Sequence, residues 1–312
     1  MEIHHLLPLL ALLFLCPRGT DASSSALPAQ LYWKSMLPFT PLPKALQELI
    51  KTDAEIRTSF TEELFTVARG TQIKYRIAYW AESKTFDHNK STFNTTTTTY
   101  FLRDHLRPYT NLSNVIFIKS PKGFNFLSRK LSESIPFSTS KLSQILNFTS
   151  IQTDSKEAKI IKQTIEECEA PGIKGEDKHC ATSLESLVDY VVSKLGTRVK
   201  TVSNKVEEEN KKQDYVIQKG IKMMGEKDRN IVCHKERYAY AVYYCHMIND
   251  TNVYVVPMRG GDGSKVEVVV VCHLDTSTWN PQHYAFQVLN VKLGGPPICH
   301  FVNSDTIVWI PN

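Results

Sequence analysis

Four Cys-His dipeptides in the last third of the chain are the feature that most constrains its fold. They are Cys233-His234, Cys245-His246, Cys272-His273 and Cys299-His300, and the gaps between them are 10, 25 and 25 residues. The dipeptides contain four of the 7 cysteines and four of the 10 histidines in the chain. This concentration of thiols and imidazoles at regular spacing indicates a shared structural and chemical role.

The segments around these dipeptides are predicted to be β-strands. Residues 239–244 precede the second pair, residues 266–271 precede the third, and residues 306–310 follow the fourth; all are rich in β-branched and aromatic residues. Successive side chains of a strand point to opposite faces. Each dipeptide is therefore predicted to send its thiol one way and its imidazole the other. This favours two disulfides on one face and one or more imidazole metal sites on the opposite face.

Two interpretations of the histidines remain open from the residues alone. Zinc fingers need short Cys-Cys and His-His spacings, which none of the dipeptides supplies. Each histidine is either a buried, hydrogen-bonded structural residue beside the disulfides or a metal ligand, and four histidines at equivalent offsets favour the metal. Imidazole ligands suit copper, zinc, nickel and iron, and the spacing does not select among them.

Residues 1–22 are predicted to be a cleaved signal peptide. Their apolar run over residues 6–16 is too short to span a bilayer, and Ala22 is a suitable cleavage position. Cleavage removes Cys16 and leaves an even number of cysteines, which suits an oxidising compartment. Cys168 and Cys180 flank a turn-forming stretch and are predicted to pair, whereas the four motif cysteines allow three connectivities.

The sequence also predicts passage through the secretory pathway, because five Asn-x-Ser/Thr glycosylation sequons occur: Asn89, Asn94, Asn111, Asn147 and Asn249. No later stretch reaches membrane-spanning length, so no membrane partner is expected. The net charge of +5 is spread over segments that mix lysines with acids. This pattern predicts no nucleic-acid partner, although it is compatible with acidic cell-wall polysaccharide.

The mature chain is predicted to contain a pro-region and linker over residues 23–100 and a single domain over residues 101–312. The pro-region is expected to be poorly structured, and its proline-punctuated residues 32–43 are predicted to be non-helical before residue 44. The domain is predicted to be α+β: β-rich, disulfide-stapled and carrying two or more helices.

Two helices of this domain have clear sequence signals. One is predicted over residues 156–167, and the other over residues 183–195, where apolar residues form a single stripe. The second helix is expected to begin with a capping box formed by Thr182 and Glu185 and to end at Gly196.

The dipeptide pattern resembles that of the plant BURP-domain family. Further segments match the same family: Tyr32-Trp33 with residues 38–43, Ile135-Pro136-Phe137-Ser138, Asp275, and residues 279–283. One departure lies at the domain entrance, where BURP domains usually have Asp-Leu-x-Pro-Gly. Here the corresponding residues are His105-Leu106-Arg107-Pro108-Tyr109, so the expected glycine turn is altered.

The resemblance implies a copper site. BURP proteins with known activity bind copper through histidines of this motif, and disulfides staple the domain. By that resemblance the ligands are His234, His246, His273 and His300, with His283 as a candidate extra ligand. Asp275 is either a residue that orients a ligating imidazole or a turn residue.

Two functions remain open on this basis. The first is a copper- and O2-dependent peptide macrocyclase, an oxidoreductase that crosslinks Tyr or Trp side chains of ribosomally made precursor peptides. Residues 23–100 contain no repeat, so a separate aromatic precursor peptide is expected, with residues 75–80 as the candidate for a fused core. The second is a non-catalytic secreted protein of the seed, cell wall or stress response. The complete motif favours the cyclase, in either the apoplast or the vacuole.

Overall fold

The computed structural model describes residues 27–52, 99–117, 124–204 and 211–312. The predicted signal peptide, residues 75–80 and the sequons at Asn89 and Asn94 lie outside these ranges. Within the described residues the chain forms seven α-helices and twelve strands, which confirms the β-rich α+β fold class. None of the helices in these ranges combines the length and the apolar character that crossing a bilayer requires.

The helices are short, and most of them precede the strands that carry the dipeptides. In chain order they are α1 (Pro28–Met36), α2 (Lys44–Gln47), α3 (Arg129–Ser134), α4 (Leu142–Phe148), α5 (Lys156–Glu169), α6 (Leu184–Leu195) and α7 (Tyr284–Leu289). Two 3-10 turns occur at Arg103–His105 and Thr139–Lys141.

The strands form two antiparallel sheets. They are β1 (Tyr100–Leu102), β2 (Asn111–Val115), β3 (Glu176–Ala181), β4 (Val199–Val202), β5 (Gln213–Ile217), β6 (Lys222–Met224), β7 (Ile231–Lys235), β8 (Tyr243–Ile248), β9 (Thr251–Gly260), β10 (Lys265–His273), β11 (Ile298–Phe301) and β12 (Ile307–Pro311). One sheet has the order β3-β8-β7-β12-β4, and the other has the order β1-β11-β10-β9-β5-β2 with β6 paired to β9. The Cys-His dipeptides lie in β7 and β8 of the first sheet and in β10 and β11 of the second.

A cluster of β-branched side chains joins the two sheets. Its members are Val232, Val308 and Ile310 from the five-stranded sheet, Val253, Val269 and Val271 from the seven-stranded sheet, and Val302. In β7 and β10 these valines alternate with the cysteines, so they share a strand face with the histidines. The two histidine-bearing faces are therefore the inner faces of a sandwich.

The outer face of the five-stranded sheet is covered by α6 and α1. Trp33 of α1 is 2% exposed, and its ring centroid lies 5.4 Å from that of Trp309 in β12. The Trp33 indole N–H donates to the Thr40 carbonyl at 2.8 Å, and the Thr40 hydroxyl donates to the Val199 carbonyl. This part of the predicted pro-region is thus folded against the core.

The prediction that residues 32–43 are non-helical before residue 44 was wrong for their first part. Helix α1 begins at Pro28, a favourable first helical position because its missing N–H would have had no helical partner, and ends at Met36. The prolines that suggested irregular structure, Pro38, Pro41 and Pro43, all follow the end of this helix. The predicted domain boundary at residue 100 stays a prediction.

Both helices predicted within the domain are present, with corrected ends. The first extends two residues further, to Glu169. The second starts with Ser183, not Thr182, as its N-cap: the Ser183 hydroxyl accepts the Ser186 N–H at 3.1 Å, and Gly196 ends the helix at φ +79°.

The strand predicted over residues 239–244 begins only at Tyr243. The preceding residues form a buried loop, in which the Ala241 N–H donates to the Asn125 carbonyl rather than to a neighbouring strand. Tyr240 and Val242 pack in a cluster with Ile161 and Ile165 of α5. The apolar run over residues 239–242 is therefore buried as predicted, but it lies outside the sheet because its backbone does not pair with a neighbouring strand.

The altered domain entrance keeps the backbone conformation that a glycine would favour. Tyr109, at the position of the family glycine, has φ +72° and donates its N–H to the Ile217 carbonyl at 2.7 Å. A non-glycine residue pays on the order of 1 to 2 kcal/mol for this left-handed conformation. The turn is therefore preserved by its hydrogen bond, in spite of the substitution.

Truncating Trp33 is expected to destabilise the whole domain. Trp33→Ala removes a buried indole that packs on the C-terminal strand, and we expect a loss of about 3 to 5 kcal/mol in the free energy of unfolding. Urea denaturation of the full chain measures this change. The matched control is Leu31→Ala on the same helix, because Leu31 is 55% exposed and should change stability by less than about 0.5 kcal/mol. Equal small effects of the two variants would show that α1 is not part of the folded core.

Candidate metal centre

The structure selects one connectivity for the motif cysteines. Cys233 and Cys245 stand opposite each other in β7 and β8 and form a disulfide, as do Cys272 and Cys299 in β10 and β11. Their side chains belong to the clusters on the outer faces of the two sheets. The predicted third bridge, Cys168–Cys180, ties α5 to the edge strand β3.

The four dipeptide histidines form one pair on each sheet. His234 lies opposite Tyr244, and His246 lies opposite Val232, so the two imidazoles are diagonal neighbours across β7 and β8. His273 and His300 have the same diagonal relation across β10 and β11. The ring centroids are 5.3 Å apart in the first pair and 5.5 Å apart in the second. Each disulfide is thus backed, on the inner face, by a pair of buried imidazoles.

The Nδ1 atoms of all four imidazoles have oxygen partners. His246 Nδ1 lies 2.9 Å from Glu176 Oε1, and His300 Nδ1 lies 3.1 Å from its neighbour's carbonyl, that of Phe301. The remaining two face threonine hydroxyls, at 3.1 Å for His273 and Thr251 and at 3.4 Å for His234 and Thr306.

These partners determine which nitrogen of each neutral ring carries the proton. A carboxylate and a backbone carbonyl only accept hydrogen bonds, so the neutral rings of His246 and His300 carry their proton on Nδ1 and have a lone pair on Nε2. The Thr251 hydroxyl donates its proton to the Asn249 carbonyl at 3.4 Å. The hydroxyl oxygen can therefore accept a hydrogen bond from the Nδ1–H of His273. A neutral imidazole that is protonated and hydrogen-bonded at Nδ1 and unprotonated at Nε2 is a form that ligates metals in proteins.

The donor set therefore fits an imidazole-bound metal such as copper in its chemistry. The ring contacts join the four imidazoles in two pairs, one on each sheet. Within the described ranges, no group of three or more His, Cys, Asp or Glu side chains is arranged to hold a metal ion.

Glu176 is a site residue that the sequence did not reveal. Its side chain is 8% exposed on β3, and besides His246 it accepts from the Tyr244 hydroxyl at 2.7 Å and the Ile173 N–H at 3.0 Å. Burial opposes ionisation of Glu176, but the hydrogen bonds from His246, Tyr244 and Ile173 outweigh it and lower its pKa to about 2. Only the pairing of β3 with β8 brings this carboxylate to an imidazole 70 residues away.

Burial also keeps several imidazoles neutral. Desolvation, followed by the influence of the neighbouring imidazoles, lowers the pKa of His273 well below its ordinary value. Desolvation is likewise the main cause that lowers the pKa of His300 to about 4 and that of His283 to about 3.

His283 and Asp275 occupy the loop between β10 and α7. His283 is the N-cap of α7: its Nδ1 accepts the Ala285 N–H at 3.1 Å. Its ring lies 4.4 Å from that of Trp279, which in turn lies 5.0 Å from the ring of His273. Asp275 is exposed, and its carboxylate accepts the Ser277 N–H at 2.8 Å, which is the geometry of a turn residue.

The three sequons within the described ranges are on the surface. Asn111, Asn147 and Asn249 are each exposed, at the start of β2, in α4 and beside the turn into β9 respectively. Their glycosylation stays a prediction.

Comparison with known proteins identifies relatives of this chain. The BURP-domain family model matches residues 99–311. BURP domain-containing protein 5 of Oryza sativa subsp. japonica is 37% identical over 296 residues, with 92% of this chain and 88% of that protein covered. BURP domain protein RD22 of Arabidopsis thaliana is 48% identical over 187 residues, with 59% of this chain and 47% of that protein covered. Protein RAFTIN 1B of Triticum aestivum is 29% identical over 360 aligned positions, with 98% and 97% covered.

Removing the charge of Glu176 is expected to weaken metal binding. Glu176→Gln retains an acceptor for His246 Nδ1 but makes it neutral, so the imidazole becomes a poorer and less well oriented ligand. We expect a loss of about 10- to 100-fold in affinity for copper, measured by competition titration of the full chain. Asp275→Asn is the control, because Asp275 lies in an exposed turn. A fall in affinity as large for Asp275→Asn as for Glu176→Gln would contradict the assigned role of Glu176.

The metal-free protein is expected to lose stability as the pH falls below about 6.5. His273, His283 and His300 have lowered pKa values in the folded state, so the unfolded chain binds more protons as it titrates near pH 6.5. Glu176 adds to this loss below about pH 4.5, since its folded pKa is about 2. Urea midpoints measured at constant ionic strength should be constant above pH 6.5 and fall from pH 6.5 to 5, before the carboxylates contribute. A constant or rising midpoint over that window would contradict the buried neutral histidines.

Proposed function

This chain belongs to the BURP-domain family, and on that premise we propose that it is a copper- and O2-dependent peptide macrocyclase. Its substrates are ribosomally made precursor peptides whose Tyr or Trp side chains become crosslinked. The observation that carries the proposal is the set of buried imidazoles whose Nδ1 atoms are held by oxygen partners, which leaves Nε2 lone pairs for a metal.

His234, His246, His273 and His300 are the residues that would hold copper. Copper bound by imidazoles with open positions supplies single-electron oxidation and reaction with dioxygen. The chain's own groups prepare this site in two ways. The carbonyl of Phe301, the hydroxyl of Thr251 and the carboxylate of Glu176 orient the rings, and burial keeps His273 and His300 unprotonated near neutral pH.

The disulfides also support an oxidative function. The four motif cysteines lie in the strands that carry the histidines, and as free thiolates they would compete for copper and reduce it. Pairing them across β7–β8 and β10–β11 removes that reactivity while it holds the histidine strands in register.

The proposed reaction removes two hydrogens from the peptide. A bond forms between an aromatic side chain and a second peptide atom, and two electrons and two protons leave. Dioxygen is the oxidant, and one molecule accepts both electrons and both protons to give hydrogen peroxide for each crosslink. The phenol and indole are the peptide groups most readily oxidised, which is why the substrate class is aromatic.

We place the protein in the secretory pathway, either in the apoplast or in the vacuole. Support comes from the three disulfides, which persist in oxidising compartments, and from the exposed sequons. The precursor is proposed to be a separate peptide.

Mass spectrometry of peptide products tests the proposal directly. The secreted full-length protein is loaded with copper and incubated in air with aromatic-rich precursor peptides. A product lighter than the peptide by two hydrogens is expected, with linear peptide left unchanged when oxygen is removed.

The matched variant is His246→Ala, which removes the imidazole that Glu176 orients and should abolish both copper retention and the mass loss. A mass loss within the protein's own residues 23–100 would instead establish a fused core peptide. Absence of any mass loss despite bound copper would reject the cyclase and leave the non-catalytic secreted protein as the function.

A further inference from the structure

The loop that leads from β10 to α7 carries two buried polar groups that have no hydrogen-bond partner in the part of the chain that the structure describes. The Nε2 atom of His283 and the Oγ1 atom of Thr276 lack hydrogen-bond partners among the described residues, and both side chains are at most 2% exposed. A buried polar group without a partner costs free energy, so proteins retain few of them. Two on one loop indicate a place where a ligand completes the hydrogen bonding.

The loop packs against the second histidine pair. Trp279 lies between His283 and His273, with ring centroid distances of 4.4 and 5.0 Å. Tyr100 also links the loop to this pair, because its ring centroid lies 5.8 Å from those of both His283 and His300. A ligand that satisfies the loop would therefore be next to the imidazoles proposed to hold copper.

The hydrogen bonding of His283 is opposite to that of the dipeptide histidines. Its Nδ1 accepts the Ala285 N–H, and a backbone N–H can only donate, so Nδ1 is unprotonated. The neutral ring must then carry its proton on Nε2. His246 and His300 instead carry the proton on Nδ1 and present a lone pair on Nε2. His283 thus offers an N–H where the other rings offer a ligand atom.

We propose that His283 is not an additional metal ligand but a neutral N–H donor, which binds an oxygen atom of the substrate peptide beside the His273–His300 pair. The identity of the acceptor as a peptide oxygen rests on the proposed function, whereas the exclusion of His283 from the ligand set does not. The ring face of Trp279, whose centroid lies 4.4 Å from that of His283, is a weaker acceptor for the Nε2 proton than a carbonyl or phenol oxygen.

Nitrogen NMR of the full chain tests the ligand assignment. With 15N-labelled histidine, the metal-free protein should show His283 protonated on Nε2, and His246 and His300 protonated on Nδ1. Addition of diamagnetic Zn²⁺ as the probe metal should shift the Nε2 resonances of the dipeptide histidines and leave the His283 Nε2–H in place. A His283 ring protonated on Nδ1, or a loss of its Nε2 proton on adding Zn²⁺, would overturn the proposal.

Two matched substitutions distinguish the proposed donor role of His283 Nε2 from the helix-capping role of its Nδ1. His283→Asn keeps an N-cap oxygen for the Ala285 N–H but removes the distal N–H. His283→Gln places an amide N–H near the position of Nε2 but caps the helix poorly. Copper affinity should stay within about twofold of the parent chain in both variants, in contrast with the loss of about 10- to 100-fold expected for a residue that supports a ligand.

The cyclisation kinetics then decide the donor role. His283→Asn should lower kcat/KM by about 10- to 100-fold, and His283→Gln should recover part of it although the helix is less stable. A purely structural role predicts the reverse order of the two variants and would overturn the donor assignment, as would equal rates in both variants and the parent. If the parent chain itself shows no turnover, the proposed function is rejected, and so is the assignment of a substrate-peptide oxygen as the acceptor of the His283 Nε2–H. The NMR result still decides whether His283 is a ligand.

Discussion

The alternation of side chains along a β-strand is the constraint on which the rest of this structure depends. Because adjacent residues face opposite sides of a sheet, each Cys-His dipeptide separates a sulfur from an imidazole. Antiparallel pairing then aligns Cys233 with Cys245 and Cys272 with Cys299, so that each disulfide locks a register. A slip by one residue would turn the histidines to the outer faces, and the covalent bond prevents it.

The histidine faces become a chemical site because polar groups from other parts of the chain reach them. Glu176 comes from β3 and Thr251 from the start of β9, and each orients one imidazole through Nδ1. In a buried position such partners decide which ring nitrogen is protonated, and so which rings can ligate a metal. The same reasoning separates His283, whose Nδ1 is used as a helix cap.

Local patterns predicted the elements whose signals are local. The helix predicted from the apolar stripe of α6 and the strand predicted from the β-branched run of β10 are both present in the structure. Both could be predicted because the spacing of apolar residues along the sequence shows which face, or which whole strand, is buried. Residues 239–242 misled the same reasoning, since an apolar run packs equally well as a loop against α5. The sequence analysis also failed to predict that residues 28–36 form helix α1. That helix is held by the packing of Trp33 on Trp309, which is distant in sequence.

The sequence by itself determined the family, the fold class, the pairing of Cys168 with Cys180 and the separation of sulfur from imidazole, because these depend on motif spacing, strand periodicity and cysteine count. Only the tertiary structure decided which motif cysteines pair, which carboxylate supports His246, and that His283 caps α7 through Nδ1. The support of His246 depends on a contact between strands far apart in the chain, because only the pairing of β3 with β8 brings Glu176 to it. The hydrogen-bond directions of these histidines are set by which backbone or side-chain group the fold places opposite each ring nitrogen.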